Sequence, residues 1–450
     1  MKKKPHEERL KECEDLPATI DSTPFMLAVP YTHRQLKRNP FKGTQKLIFC
    51  STLLVILLAS LPIGAYFLMK TFERQQAKVA SASAMHIKAP IEIAPSLDPE
   101  RKLARFIEQT ISKMSLDEEL EQMIVVHFGG HGYSSELQKM VADQHVGGII
   151  LYEFNIQTLA QTHALDSSAQ ADASPPLFVF TDQEGGVVNR LAPITGRRPS
   201  AEAMGGTNNP EVAFQEGTSD AKYLTQMGVN VDLAPVVDVQ TISDSATIMP
   251  GRMFGTTPDK VTTFAGAYLN GLQSQNIIGS LKHWPGLGNA TVDPHDRLPV
   301  FNRSRQDLNA IDFAPYRALI AQGSVDMIMS THELVTAYDP NMPASVSPIM
   351  IDQVLRHDIG FQGVVITDAL YMGALSYRWS MPQAAVLAVI AGNDLLMGPG
   401  NASQVQQMVH ALHAAVASGQ ISKARIDLSV ERILALKIKY RLLNFPGNEP

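Results

Sequence analysis

The sequence predicts an α/β fold, a (β/α)8 TIM-type barrel, preceded by one transmembrane helix and a stalk. Three observations predict it. Short uninterrupted apolar runs recur eight times between residues 123 and 400, most gaps between them have room for a helix, and polar side chains gather at the C-terminal ends of the runs. An open doubly wound sheet is the competing α/β solution, but no GxGxxG loop supports it.

The elements follow in chain order. Residues 1–46 hold ten Lys and Arg against six Asp and Glu, with prolines and little periodic signal, which reads as a disordered basic cytoplasmic tail. Residues 47–69, LIFCSTLLVILLASLPIGAYFLM, are 23 without a charge, enough to cross a bilayer core with some tilt. Pro62 and Gly64 in this run are tolerated in a membrane helix. Arg34, Lys37, Arg38, Lys42 and Lys46 precede the run and Lys70, Arg74 and Lys78 follow it, so the positive-inside bias keeps the N-terminus in the cytoplasm. A cleaved signal peptide is the alternative, with small residues at VASASA (79–84), but the long leader and the gap after the apolar run argue for a retained single-pass anchor. Residues 70–96, rich in Ala, Ser and Pro, read as a linker, and 97–450 as the barrel domain with its bulk outside the cytoplasm.

Composition narrows the partners. Beyond residue 46 the chain holds 28 Lys and Arg against 38 Asp and Glu with no basic stripe, which excludes nucleic acid. Cys13 lies in the tail and Cys50 in the apolar run, so the external part needs no disulfide. No heptad or internal sequence repeat sets an oligomeric state.

Within the barrel domain, Leu103, Phe106, Ile107, Ile111 and Met114 follow helical spacing, and Ser115 with Glu118 suits a capping box for the next helix. The eight strand candidates are MIVVHF (123–128), GGIILY (147–152), LFVFTD (177–182), VDLAPVVDV (231–239), IIGSLKH (277–283), VDMIMSTHE (325–333), GVVITDAL (363–370) and DLLMGPG (394–400). Helices fit between them, for example over 260–273 and 382–391. Asp182, Asp238, Lys282, His283, His332, Glu333 and Asp368 stand at the ends of these runs, which in a barrel converge on the face that carries the active site.

One loop concentrates the chemistry. KHWPGLGNATVDPH (282–295) gathers a lysine, two histidines and an aspartate among prolines and glycines, more than a packing turn needs. Taken singly, Asp368 fits a helix N-cap and Asp293 a turn. Together with His295, in this order, they point to catalysis. His127 and His131 have metal-ligand spacing on a helix, but Gly129, Gly130 and Gly132 argue against a helix there, and no metal or other cofactor is implied.

Followed by Leu298-Pro299, the loop closely resembles the KHFPGHG…DxH…LP signature of the glycoside hydrolase family 3 β-N-acetylhexosaminidases. TDQEGGVVNRL (181–191), MGVNVDLAPVVDV (227–239), MPASVSPIMI (342–351) and ITDALYMGAL (366–375) resemble the same family, in its order, over roughly residues 100–445. The resemblance implies a retaining glycosidase with Asp368 as nucleophile and His295, paired with Asp293, as acid/base. It implies sugar contacts from Asp182, Arg190, Arg252, Lys282 and His283. These roles suit a two-step displacement, in which one group protonates the leaving oxygen and the other forms the glycosyl intermediate. His295 sits on a long loop, so an approach after sugar binding is expected. Larger family members take the acid/base from a second domain. Here 82 residues follow Asp368, and the last strand and closing helices need them. The implied activity is release of terminal β-linked N-acetylglucosamine from glycans or cell-wall muropeptides. The alternatives are a β-glucosidase or N-acetylglucosamine phosphorylase of the same family, a barrel enzyme using Lys282 as a Schiff-base nucleophile, and a non-catalytic membrane-anchored glycan-binding protein. Three departures stand out: Leu287 where the signature has histidine, Pro294 inside the dyad, and Trp284 for phenylalanine.

Overall fold

The computed structural model describes residues 98–243 and 248–446. The expected tail, anchor and linker (1–46, 47–69 and 70–96) lie outside them. All eight expected strands are present: β1 (Ile124–Val126), β2 (Gly148–Leu151), β3 (Phe178–Thr181), β4 (Val231–Asp232), β5 (Ile278–Trp284), β6 (Met327–Ser330), β7 (Val364–Thr367) and β8 (Leu396–Met397). They form one parallel sheet in the order β7-β6-β5-β4-β3-β2-β1-β8. A bridge between Ile366 and Leu395 joins β7 to β8 and closes the barrel. Asp394 clamps that seam, accepting the Val365 amide at 3.0 Å while facing Arg356, Arg425 and Arg432. The strands are buried throughout, which is why they read as continuous apolar runs rather than alternating ones.

The chain enters through α1 (Pro99–Ile111) and α2 (Leu116–Gln122). The expected capping box is formed: the Ser115 hydroxyl accepts the Glu118 amide at 3.2 Å and the Glu118 carboxylate accepts the Ser115 amide at 2.7 Å. Helices then alternate with strands as α3 (Leu159–Asp172), α4 (Pro210–Met227), α5 (Pro258–Gln273), α6 (Ala314–Ala321), α7 (Met381–Ala391), α8 (Ala402–Ala417) and α9 (Lys423–Lys439). A wide-turned helical segment, Ile349–Asp358, takes the place between β6 and β7. Helices α4 and α5 approach unusually closely. A Cβ at Gly217 would stand 2.3 Å from the Tyr268 carbonyl oxygen, and one at Gly271 2.3 Å from that of Phe214. This closeness places Tyr268 of α5 against residues 182–184 that follow β3, its hydroxyl 3.0 Å from the Gln183 carbonyl.

Candidate active site

The first group of site residues is built on β3. Past its end, Asp182, Gln183 and Glu184 alternate, and Gln183 is driven into the core. Its amide donates to Asp232 at 2.8 Å, its side-chain oxygen accepts the Leu191 amide at 3.1 Å, and its carbonyl accepts the Tyr268 hydroxyl at 3.0 Å. The same hydroxyl lies 2.8 Å from Asp220, sharing its one proton between the two acceptors, and Asp220 pairs with Arg198. With Gln183 fixed, Asp182 and Glu184 project to the other side.

They meet Lys282 and His283 from β5. The ladder between β5 and β6 shifts by one residue between Leu281 and Trp284, a bulge that lets both neighbours serve the site. The Lys282 ammonium donates to Asp182 at 2.7 Å and lies 2.6 Å from Glu184. Arg252 holds Glu184 bidentately at 2.7 and 2.8 Å and stands 3.1 Å from His283. On its other nitrogen His283 meets Asp238 at 2.7 Å. Asp238 also accepts the amides of His283 (3.2 Å) and Leu287 (2.8 Å), so one buried carboxylate ties the ring to the start of the long loop.

Electrostatics favour the charged forms of Glu184 and Lys282. Burial would raise Glu184, but Arg252 and Lys282 outweigh it and hold the carboxyl well below its ordinary range. Burial would likewise lower Lys282, yet Asp182 and Glu184 keep it above the usual lysine value. A Schiff-base lysine needs the opposite shift, so this charge environment disfavours the aldolase-like alternative. Arg190 joins the cluster less tightly, 3.9 Å from Asp182 and 5.8 Å from the ring centre of Tyr152.

Asp368 follows β7 directly. Its Oδ1 accepts the Ala369 amide at 2.8 Å, and Thr331 donates to Oδ2 across a longer 3.4 Å. Burial pushes its pKa up, but nearby His332, His283 and His295 and the Ala369 amide bring it below the ordinary aspartate value. Burial in turn holds His332 below the ordinary histidine value. It is wedged between the Ser345 hydroxyl (2.7 Å) and the Ala369 carbonyl (3.0 Å), which steadies the turn carrying Asp368.

The dyad is formed as expected. His295 Nδ1 lies 2.7 Å from Asp293, whose same oxygen accepts the His295 amide at 3.0 Å. The His295 side chain is 51% exposed, and with Nδ1 held by Asp293 its Nε2 is the ring nitrogen left open. Partial burial lowers its pKa, but the Asp293 hydrogen bond and the charges of Asp368 and Asp293 prevail and raise it above the ordinary histidine value. The loop is not waiting at a distance. Gly373 donates to the His295 carbonyl and Ala374 to that of Pro294, both at 3.1 Å, so the loop is already docked on the segment following Asp368. Gly373 is required by that approach, since a Cβ there would lie 2.7 Å from the His295 carbonyl oxygen and 2.8 Å from that of Asp296.

The three departures have structural accounts. Leu287 packs in a small apolar cluster with Val236, Met249, Met253, Ala290 and Phe301 beneath the loop. Pro294 occupies a turn closed by the Asp296 and Arg297 amides on the Asp293 carbonyl, both at 3.0 Å. Trp284 is fully buried between Phe313 and Tyr316, and its indole donates to the Met350 carbonyl at 3.2 Å.

Every expected site residue thus falls on the C-terminal face, with Asp182, Arg190, Arg252, Lys282 and His283 in one cluster and Asp368, His295 and Asp293 beside it. Sequence reasoning missed Glu184, the acceptor common to Lys282 and Arg252. It noted Asp238 at its strand end without giving it the task of orienting His283. The signal available for Glu184 was its place two residues after Asp182, on the same side of an extended segment.

Comparison with known proteins agrees with this geometry. Residues 115–436 match the glycosyl hydrolase family 3 N-terminal domain. A beta-hexosaminidase of Mycobacterium tuberculosis is 31% identical over 331 residues, covering 72% of this chain and 83% of that protein. Beta-hexosaminidase A of Pseudoalteromonas piscicida is 30% identical over 330 residues, 68% of this chain but 55% of the relative, so the chain spans about half the length of that protein. Among solved structures, a glycoside hydrolase family 3 β-N-acetylglucosaminidase from Paenibacillus superposes with a TM-score of 0.71 at 32% identity, over 75% of this chain and 65% of that one.

Proposed function

The chain belongs to glycosyl hydrolase family 3, and from that membership and the site we propose that it is a retaining β-N-acetylhexosaminidase releasing terminal β-linked N-acetylglucosamine from glycans or cell-wall muropeptides. The observation that carries the reading is the docking of the Asp293–His295 dyad, through Gly373 and Ala374, onto the segment that follows Asp368, a half-buried carboxyl held below the ordinary aspartate value. One domain then supplies both groups that a double displacement needs.

In the first step the Asp368 carboxylate attacks the anomeric carbon while the His295 imidazolium gives its Nε2 proton to the departing oxygen. The bond to the leaving group breaks as the glycosyl–Asp368 ester forms. Asp293 holds the ring by Nδ1 and stabilises its charge. In the second step neutral His295 takes a proton from water, which attacks the same carbon and frees Asp368. Asp182, Lys282, His283, Arg252 and Arg190 offer the sugar hydroxyls a rigid set of donors and acceptors, with Glu184 keeping Lys282 and Arg252 in place.

The N-acetyl preference is supported by relatives named as hexosaminidases and by the β-N-acetylglucosaminidase structure. The test is kcat/KM on an aryl N-acetylglucosaminide against the matching aryl glucoside. A strong preference for the former is expected, since a polar contact left unpaired in a buried site can cost orders of magnitude. Equal values would sink the assignment.

The proposal extends to location. The uncharged Leu47–Met69 run and its basic leading flank support a signal anchor that displays the barrel outside the membrane, beside such polymers. Among the described residues no helix is long and apolar enough to cross a membrane. Protease added to intact cells should release the barrel. A protected barrel, or a mature N-terminus beyond Ala84, would refute the anchor.

A further inference from the structure

The sugar-binding cluster draws on the ends of β3 to β5, whereas the sector of the barrel mouth over β8 and β1 is built differently. Tyr152, the first residue after β2, and Tyr371, four residues after β7, bring their hydroxyls within 3.1 Å. Strands β2 and β7 are not neighbours; β1 and β8 lie between them, so the pair reaches across that sector. His127, the first residue after β1, packs with its ring 5.4 Å from that of Tyr371 and 6.4 Å from that of Tyr152. Gly400, just beyond β8, leaves the room for it, since a Cβ there would lie 2.4 Å from the imidazole. Phe154 adds a fourth ring, 5.6 Å from Tyr152. Burial holds the Tyr152 hydroxyl well above its ordinary pKa and pushes Tyr371 up to about 12, so both remain protonated and able to donate.

This strap is tied to the site at both ends. Arg190 spans from the Tyr152 ring to Asp182, and Tyr371 belongs to the turn that begins at Asp368. We infer that the Tyr152–Tyr371 strap is the stop at the non-reducing end of the sugar pocket, the feature that restricts the enzyme to terminal residues. The inference rests on the function proposed above, which places the anomeric carbon at Asp368 and the sugar hydroxyls at the cluster of Asp182, Lys282, His283, Arg252 and Arg190; we take the far side of the ring to lie at Asp182, the member of that cluster next to the strap through Arg190. An internal residue of a β-linked polymer carries its neighbour on that far side. That neighbour would meet Tyr152, Arg190 and Tyr371 instead of open solvent. The strap excludes it by bulk, and the hydroxyl pair keeps the two rings together.

The test uses the full chain with p-nitrophenyl β-chitobioside and p-nitrophenyl N-acetylglucosaminide, with products separated by chromatography. Wild type should remove one N-acetylglucosamine at a time from the disaccharide and release no free chitobiose. Tyr371→Ala should release chitobiose as a unit, at a share of the products at least about tenfold above the detection limit that bounds wild type, as expected when a steric discrimination in a pocket is lifted. Tyr371→Phe keeps the ring and removes only the hydroxyl pair, so it should shift the ratio the same way by less, and it serves if the alanine variant does not fold. Chitobiose release by wild type, or a wild-type product ratio in active variants, overturns the inference. A wild type that turns over neither substrate refutes the proposed function, and the strap's role falls with it.

Discussion

Replacing Glu184 with glutamine probes the part of the site that looks least catalytic. The Glu184 side chain is 3% exposed and receives Arg252 twice, at 2.7 and 2.8 Å, and Lys282 at 2.6 Å. Without its charge, Asp182 is the one close anion left to the buried Lys282 ammonium. Removing one partner of a buried pair costs about 3–5 kcal/mol. The amide oxygen of glutamine retains one ordinary hydrogen bond, about 1 kcal/mol, leaving a net loss of about 2–4 kcal/mol. At about 2–4 °C per kcal/mol for a large domain, Tm at pH 7 should fall by roughly 5–15 °C. The sign with pH is set by the depressed carboxyl. Its stabilising contribution is present above the unfolded carboxylate value of 4.5 and is lost as pH falls through the lower folded value, so the gap between wild type and variant should close in strong acid. The assay is thermal unfolding across pH together with kcat/KM, which should drop by about tenfold or more as Lys282 and Arg252 lose alignment. A Tm within about 1 °C of wild type, the behaviour of a surface substitution, together with unchanged kinetics would refute the reasoning.

His295→Ala should lose about 10²–10⁴-fold with a poor leaving group and much less with an activated phenol, and azide should restore part of the deglycosylation step. Equal losses on both substrates would contradict an acid/base role. Asp293→Asn removes one of the charges that raise the His295 pKa, so the basic limb of kcat/KM should move to lower pH; an unmoved limb would show that Asp293 does not set that proton. Gly373→Ala puts a methyl group 2.7 Å from the His295 carbonyl oxygen, an overpacking worth about 1–3 kcal/mol that should displace the dyad loop and lower kcat. Wild-type kcat in that variant would mean the docked loop is not the working arrangement.

The barrel was legible because its strands are buried on both faces and therefore stand out as eight apolar runs. The polar residues at their ends were legible for the same reason, since Asp182, Lys282, His283 and Asp368 interrupt those runs. What stayed hidden depends on partners distant in sequence. Glu184 acquires its purpose from Arg252 and Lys282, and Asp238 from His283 and the Leu287 amide, and neither pairing has a spacing that could announce it. Tyr152 read as the end of GGIILY, because an aromatic residue closing an apolar run looks like core until Tyr371 is placed opposite it. The loop carrying His295 read as free to move, since prolines and glycines without periodicity suggest mobility. Its anchorage is two backbone hydrogen bonds, which no side chain encodes.

The central claim is that Asp368 forms the covalent bond to the sugar. A fluorinated N-acetylglucosaminyl donor that slows deglycosylation should trap the intermediate, and proteolysis with mass mapping should place the label on Asp368 in the peptide spanning ITDALYMGAL. A label on any other residue, or a product released with inverted anomeric configuration and no adduct, would contradict the account.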